Sequence, residues 1–195
     1  MALTAYLKLK GQKQGDIKGS ATQKGREGKI AVIAAEHEVI SPRDAASGLA
    51  TGKRMHKPFV ITKELDAAST PLYSMLVNNE GIVEWELQFW TPRLPSTPGT
   101  GNEVQHYTVR LSDARVSDIR FHMLNNRNPD LVRYAEYEEV SFTYRKIQWL
   151  WVAGGITAGD DWTAPSAVAR KRAGRAASKT AGTSTAKTTG RVKPS

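Results

Sequence analysis

Several stretches of this chain alternate apolar and polar residues with a period of two. Leu3, Ala5, Leu7 and Leu9 interleave with Thr4, Tyr6, Lys8 and Lys10. Val83, Trp85, Leu87 and Phe89 interleave with Glu84, Glu86, Gln88 and Trp90, and Tyr107, Val109 and Leu111 with His106, Thr108 and Arg110. Successive side chains of a strand point to opposite faces, so each run has one face to bury and one that can meet water. Val140, Phe142 and Tyr144 follow the same rule, and then the apolar phase moves to Ile147, Trp149 and Trp151. That phase change predicts a β-bulge, or a long strand whose two ends serve different partners. Glycine and proline clusters, "GQKQG", "TPRLPSTPGTGN" and "NRNPD", separate the runs.

One segment reads as helix. "STPLYSMLVNNEG" predicts a short helix over about residues 70–79, with Ser69 or Thr70 accepting from the first-turn donors and Pro71 in the first turn. Leu72, Met75 and Leu76 share one face, and Asn79 and Gly81 offer a left-handed stop. Many strands and a single short helix make the expected fold mainly β: a two-sheet antiparallel barrel, closed or nearly so, with the helix plugging one opening.

Charge divides the chain. The net charge of +9 suggests a polyanion partner, but eight of the 28 basic residues lie in 165–195, where there are no acids. Residues 1–164 keep 20 basic against 19 acidic residues and are nearly neutral. The segment from Pro165 is built from Ala, Ser, Thr, Gly, Lys and Arg, with Val168 and Val192 as its only sizeable aliphatics. Such a composition buries too little apolar area to offset the entropy of ordering, so a disordered tail is expected after a boundary near Ala164. Arg170, Lys171, Arg172, Arg175 and Lys179 are its candidate anion-binding residues. They fit a grip on nucleic acid, an anionic surface or an acidic cargo, or simply a solvated tail.

Little in the sequence points to catalysis or to a cofactor. The absence of cysteine removes disulfides, thiolate metal sites and cysteine nucleophiles. "GREGKI" at 25–30 has the wrong glycine spacing for a phosphate loop and reads as a turn. In "EHE", Glu36 and Glu38 face away from His37 on a strand, so the three do not converge on one ion. Asp160 and Asp161 read as a solvated turn, and His56, His106 and His122 lack local partners for a triad. No catalytic, metal or cofactor-binding residue is assigned, and the chain is not expected to be an enzyme. Glu84 and Glu86 flank Trp85 and would repel phosphate, so the tryptophans read as packing residues, with Trp90, Trp149 and Trp151 as candidate interface aromatics. The N-terminus lacks a basic segment followed by a long apolar core, and no run approaches the roughly 18 apolar residues of a membrane span.

"SPRDAASGLATGKRMHKP", residues 41–58, is long for a connection in a compact domain, where the median is about 4–6 residues. It fits either a surface loop or an arm that docks on a neighbour, with Arg43 and Asp44 pairing in trans and Leu49, Met55 and Pro58 as apolar anchors.

"MALTAYLKLKGQKQGDIKGSATQKGREGKI", "SPRDAASGLATGKRMHKPFVITKELD", "EWELQFW", "EVSFTYRKIQW" and "GGITAGDDW" closely resemble the Hcp family, the haemolysin-coregulated proteins of bacterial type VI secretion. The likeness runs through essentially all of residues 1–164. It implies a two-sheet β-barrel with a short helix, six copies closing into a ring, and rings stacking into the inner tube of a contractile machine. It also implies secretion from the cytoplasm without a signal peptide, small effectors carried in the lumen, and sheath and spike proteins as partners, with no membrane. The loop matching 41–58 is then an inter-subunit contact, with Ser41, Pro42, Arg43, Asp44, Leu49, Lys53, Arg54, Met55, His56, Lys57 and Pro58 as its residues. A phage-type tail-tube protein shares the fold. Gly159 stands where the family often has an acid, and the basic segment beyond Pro165 exceeds the usual family end.

Overall fold

The computed structural model describes residues 4–92 and 103–164. The period-two runs are strands. β1 (Thr4–Gly11), β8 (Ile82–Pro92), β9 (Glu103–Ser112) and β12 (Lys146–Trp151) belong to one antiparallel sheet, with β2 (Gly15–Ile17), β3 (Ile30–Val32) and β13 (Ile156–Asp161). The second sheet has the order β10 (Arg115–His122), β11 (Tyr137–Thr143), β7 (Phe59–Glu64), β4 (Ala34–Glu36). β5 (Val39–Ile40) and β6 (Met55–His56) pair with each other alone.

Each of the two main sheets offers an apolar face, and the two faces meet in one core. Leu7, Leu87 and Val109 from the large sheet and Ile61, Val140 and Phe142 from the small one are buried in a single cluster. Trp85 lies at its centre, with its ring edge-on to Phe59 at 5.0 Å and Phe142 at 5.5 Å. Such aromatic pairs add about 0.5–1.5 kcal/mol beyond area burial. The chain passes between the sheets at three short corners: Ile33 between β3 and β4, Asp113–Ala114 between β9 and β10, and Tyr144–Arg145 between β11 and β12. Asp113 takes a positive φ of 53° to make its corner. The mainly β expectation therefore holds, but the ladders of the two sheets do not join into a closed barrel among the described residues.

The phase change after Tyr144 is not a bulge; different partners do serve its two sides, as the other expectation had it, but as two strands rather than one. β11 ends at Thr143 and pairs with β7, whereas β12 begins at Lys146 and pairs with β9 and β13. The apolar phase moves because the buried face belongs to a different sheet.

The helix α1 (Ser69–Val77) buries Leu72 and Met75, with Leu76 packed against the core, and stops at Asn79 with φ 48°. Its start differs from the expected cap. Asp66 Oδ1 accepts from the Ala68 N–H at 2.9 Å, while the Ser69 hydroxyl turns inward to donate to Glu138 Oε1 at 2.9 Å. Ser69 is needed there because Lys63 and Glu138 stand opposite each other on β7 and β11, both fully buried and 2.8 Å apart. Asp66 Oδ1 also lies 2.9 Å from Lys63 Nζ. At the other end of α1, the Glu80 carboxylate accepts from the Lys13 and Gln14 N–H groups and so ties the β1–β2 turn to the helix. Gly11 makes room for that: a Cβ on it would lie 2.6 Å from Glu80 Oε1.

The buried pair makes a direct prediction. Lys63→Met leaves the Glu138 carboxylate without its cation and should cost about 3–5 kcal/mol, whereas Lys63→Met combined with Glu138→Leu should recover much of that loss. Denaturant unfolding of the parent, the single and the double variants measures both.

Candidate functional site

The long connection from Ser41 to Arg54 is an ordered arm rather than a shapeless loop. The β5–β6 pairing closes its base, through Val39 opposite His56 and Ile40 opposite Met55. Further out, Arg43 and Ala50 form an antiparallel bridge. The tip is built around Asp44, whose Oδ1 accepts from the Ala46 N–H at 3.1 Å and from the Ser47 N–H and hydroxyl at 2.7 Å each. The Ser47 hydroxyl, first among these contacts, holds the Asp44 carboxyl below its ordinary pKa. Gly48 follows at φ 67°, and Arg43 donates to its carbonyl. Arg43 and Asp44 are thus engaged within the arm rather than held free for trans pairing. Leu49 is 70% exposed and Met55 52%, and Pro58 is also exposed.

At its root the arm is fastened to the large sheet and the Tyr144 corner by a group of polar side chains. Arg54 grips the Asp160 carboxylate through two nitrogens and donates to the Asp161 carbonyl at 2.8 Å. His56 Nε2 lies 2.7 Å from Asp160 Oδ2, and His56 Nδ1 lies 2.9 Å from the Tyr144 hydroxyl. His37, in the link between β4 and β5, places Nε2 2.5 Å from the same hydroxyl and stacks on Phe59 at 5.2 Å. Lys53 lies over the Trp162 ring at 5.9 Å, and Lys57 pairs with Glu38 at 2.5 Å.

The environment shifts several of these groups. Burial, and then the charge of His56, lowers the pKa of His37. Burial, and then Asp160, pushes the Tyr144 hydroxyl up to about 12. The Arg54 hydrogen bond is the largest influence lowering the Asp160 carboxyl, with His56 adding to it. The cluster carries no serine or threonine nucleophile and keeps its tyrosine protonated. Its chemistry is attachment: it orients the arm.

Sequence reasoning placed the arm but missed its root. Asp160 was expected in a solvated turn, yet it lies in β13 and faces two arm residues. His56 does have partners, but they are Tyr144 and Asp160, 88 and 104 positions away in the chain. Glu36, His37 and Glu38 diverge, but not by alternation on one strand: β4 ends at Glu36, which is exposed, while His37 turns to Tyr144 and Glu38 to Lys57. Trp90 lies under the Arg26 guanidinium at 4.4 Å, Trp149 packs against the core, and Trp151 remains 47% exposed. Gly159 lies in β13, and a Cβ there would stand 3.2 Å from the Ile147 carbonyl oxygen. Arg170, Lys171, Arg172, Arg175 and Lys179 lie outside the described residues. No helix among the described residues is long and apolar enough to cross a membrane.

The family model described as "Type VI secretion system effector, Hcp" matches residues 6–151, which include the small sheet, the large sheet apart from β13 and the first two residues of β1, the helix and the whole arm. The chain belongs to the Hcp family. Among similar proteins, the "Major exported protein" of Pseudomonas aeruginosa is 39% identical over 176 residues, covering 86% of this chain and 99% of that one. A crystal structure of an Hcp protein superposes with a TM-score of 0.73 at 30% identity, covering 83% of this chain and 98% of the other. The secreted protein Hcp3 from Pseudomonas aeruginosa gives 0.64 at 33%, covering 83% and 99%. These relatives are spanned almost end to end, so the excess length belongs to this chain.

Replacing Asp160 by Asn should unfasten the root. The variant loses a carboxylate that serves Arg54 and His56 together, at a cost of about 1.5–3 kcal/mol for hydrogen bonds to a charged group. Because the Asp160 carboxyl is depressed in the folded chain, its contribution is complete above the ordinary aspartate value and is lost as pH falls through the lower folded one. Stability measured against pH should therefore show a smaller acid decline in Asp160→Asn than in the parent.

Proposed function

We propose that this chain is the tube subunit of a type VI secretion machine: six copies close into a ring, rings stack, and the tube is expelled to the exterior or into a target cell with small effectors in its lumen. The role is structural rather than catalytic. Sheath and spike proteins are its expected partners, and residues 1–164 form the ring-building domain. The single observation that carries the reading is the arm. Ordering a backbone residue costs about 1–2 kcal/mol, and this arm is held in shape while leaving Leu49 and Met55 open to solvent. A surface built this way suits a neighbouring subunit. A ring closes head to tail, so two different surfaces of each subunit must meet. The arm residues from Ser41 to Pro58 form one of them, and the exposed Trp151 is the aromatic best disposed to join it.

Electron microscopy of the purified protein should show six-fold rings. Replacing Pro42–Lys53 by a short glycine turn should leave the melting transition of the barrel in place and weaken ring formation or stacking. A monomer at every concentration, or unimpaired rings and tubes from the shortened chain, would sink the reading.

The segment 165–195 supports a second role. Its eight cations, unopposed by acids, suit a polyanion such as nucleic acid or an acidic cargo. Binding of a DNA duplex should weaken steeply between low and physiological salt, as expected when counterions are released. It should vanish when 165–195 are removed, and fluorescence anisotropy with the full and shortened chains tests both points.

A further inference from the structure

The Tyr144 hydroxyl has one hydrogen to donate and lone pairs with which to accept. Two histidines share it, and counting hydrogens fixes their states. His56 Nε2 faces the Asp160 carboxylate, which only accepts, so that nitrogen carries a hydrogen. While His56 is neutral, its Nδ1 is an acceptor and takes the Tyr144 hydrogen. The Tyr144 oxygen then accepts from His37, whose Nε2 must be the protonated nitrogen. Donation runs one way, from His37 through Tyr144 and His56 to Asp160.

One added proton can be absorbed. A charged His56 donates from both nitrogens, the Tyr144 hydrogen turns to His37 Nε2, and His37 takes its other tautomer. A second proton has no such solution. Both rings then donate to one oxygen, the Tyr144 hydrogen loses its acceptor, and two positive rings lie 6.3 Å apart beside the Arg54 cation.

We propose that this cluster is a proton-sensitive clasp, which holds the arm to β13 while at most one of His37 and His56 is charged and releases it when both are. The other charged groups around it are Asp160 and Asp161 on β13, Lys146 on β12 at 3.8 Å from Asp161, and the Lys57–Glu38 pair beside β5 and β6. Asp160 offsets one positive charge and is already shared with Arg54. Phe59 and Trp149 face His37 and offer no countercharge. Burial holds His37 below the ordinary histidine pKa, so its charge arrives only in acid. Well above about pH 6.5 the ring is neutral whether clasped or free; as pH falls through that value, a free ring takes a proton that the clasped one refuses. The balance then shifts toward the released arm by roughly tenfold per pH unit until the folded value is reached.

The clasp itself does not depend on ring assembly; the effect of its release on rings rests on the function proposed above. The chain has no cysteine, so Ala46→Cys in the exposed tip gives a single attachment point for a nitroxide spin label. In the full-length chain, label mobility should rise between about pH 7.5 and about pH 5.5, a window that brackets the ordinary histidine value of about 6.5. His37→Gln, which still donates to Tyr144 but cannot charge, and His37→Phe, which keeps the stack on Phe59, should each abolish the rise. Tyr144→Phe should give a mobile label at both pH values. An immobile label throughout in the parent, an unchanged rise in both His37 variants, or a Tyr144→Phe arm that stays fixed would each overturn the clasp. Melting curves of every variant register unfolding of the two-sheet core separately. Sedimentation of the same samples separates the two readings. Ring loss without a change in mobility counts against the clasp, whereas a freed arm with intact rings upholds it and counts against the arm as a docking element.

Discussion

Two sheets with one apolar face each can satisfy both faces only against one another, and the chain must therefore cross from sheet to sheet. It does so at Ile33, at Asp113–Ala114 and at Tyr144–Arg145. Each corner is short, which leaves no slack between the strands it joins and fixes their registers together. The Tyr144 corner carries the further burden of the arm. Its backbone turns the chain from one sheet into the other, and its hydroxyl receives the two histidines that flank the arm. Core, corner and arm are thus successive consequences of one requirement.

The strands were legible because alternation is a local signal that burial enforces residue by residue. Leu7, Leu9, Leu87 and Val109 are buried where the period placed them. The helix was legible for the same reason through Leu72 and Met75. What escaped was non-local. Lys63 stands in the inward phase of β7, between the alternation of Ile61 and the start of α1, where a lysine argues against burial. Only the opposing Glu138, 75 positions away, makes its burial affordable. The helix cap failed because the same pair drew Ser69 inward, leaving Asp66 to serve the backbone.

The site divides in the same way. Excess length and low apolar content marked the arm, since both are visible in a single window of sequence. The root was not visible, because Arg54, His56, Tyr144 and Asp160 come together only once β12 and β13 have folded back along β9. The apolar phase change at Tyr144 was the nearest available sign. It reads as a bulge or as a long strand with different partners at its two ends; the partners do differ, because the chain changes sheet at this residue. The family resemblance implied a role for the arm in an assembly, which the structure leaves as a proposal. It said nothing of how the arm is held.

The position of the clasp has a mechanical consequence. Among the described residues β13 is an edge strand that pairs with β12 alone, and its last residue, Asp161, lies opposite Lys146. Tension applied to the polypeptide beyond Trp162 would peel β13 from that end, one pair at a time, and the next residue in line is Asp160. Among the fastenings that such a pull must break is the grip of Arg54 and His56 on Asp160. Whatever is attached to this end of the chain is tethered, in effect, through the root of the arm.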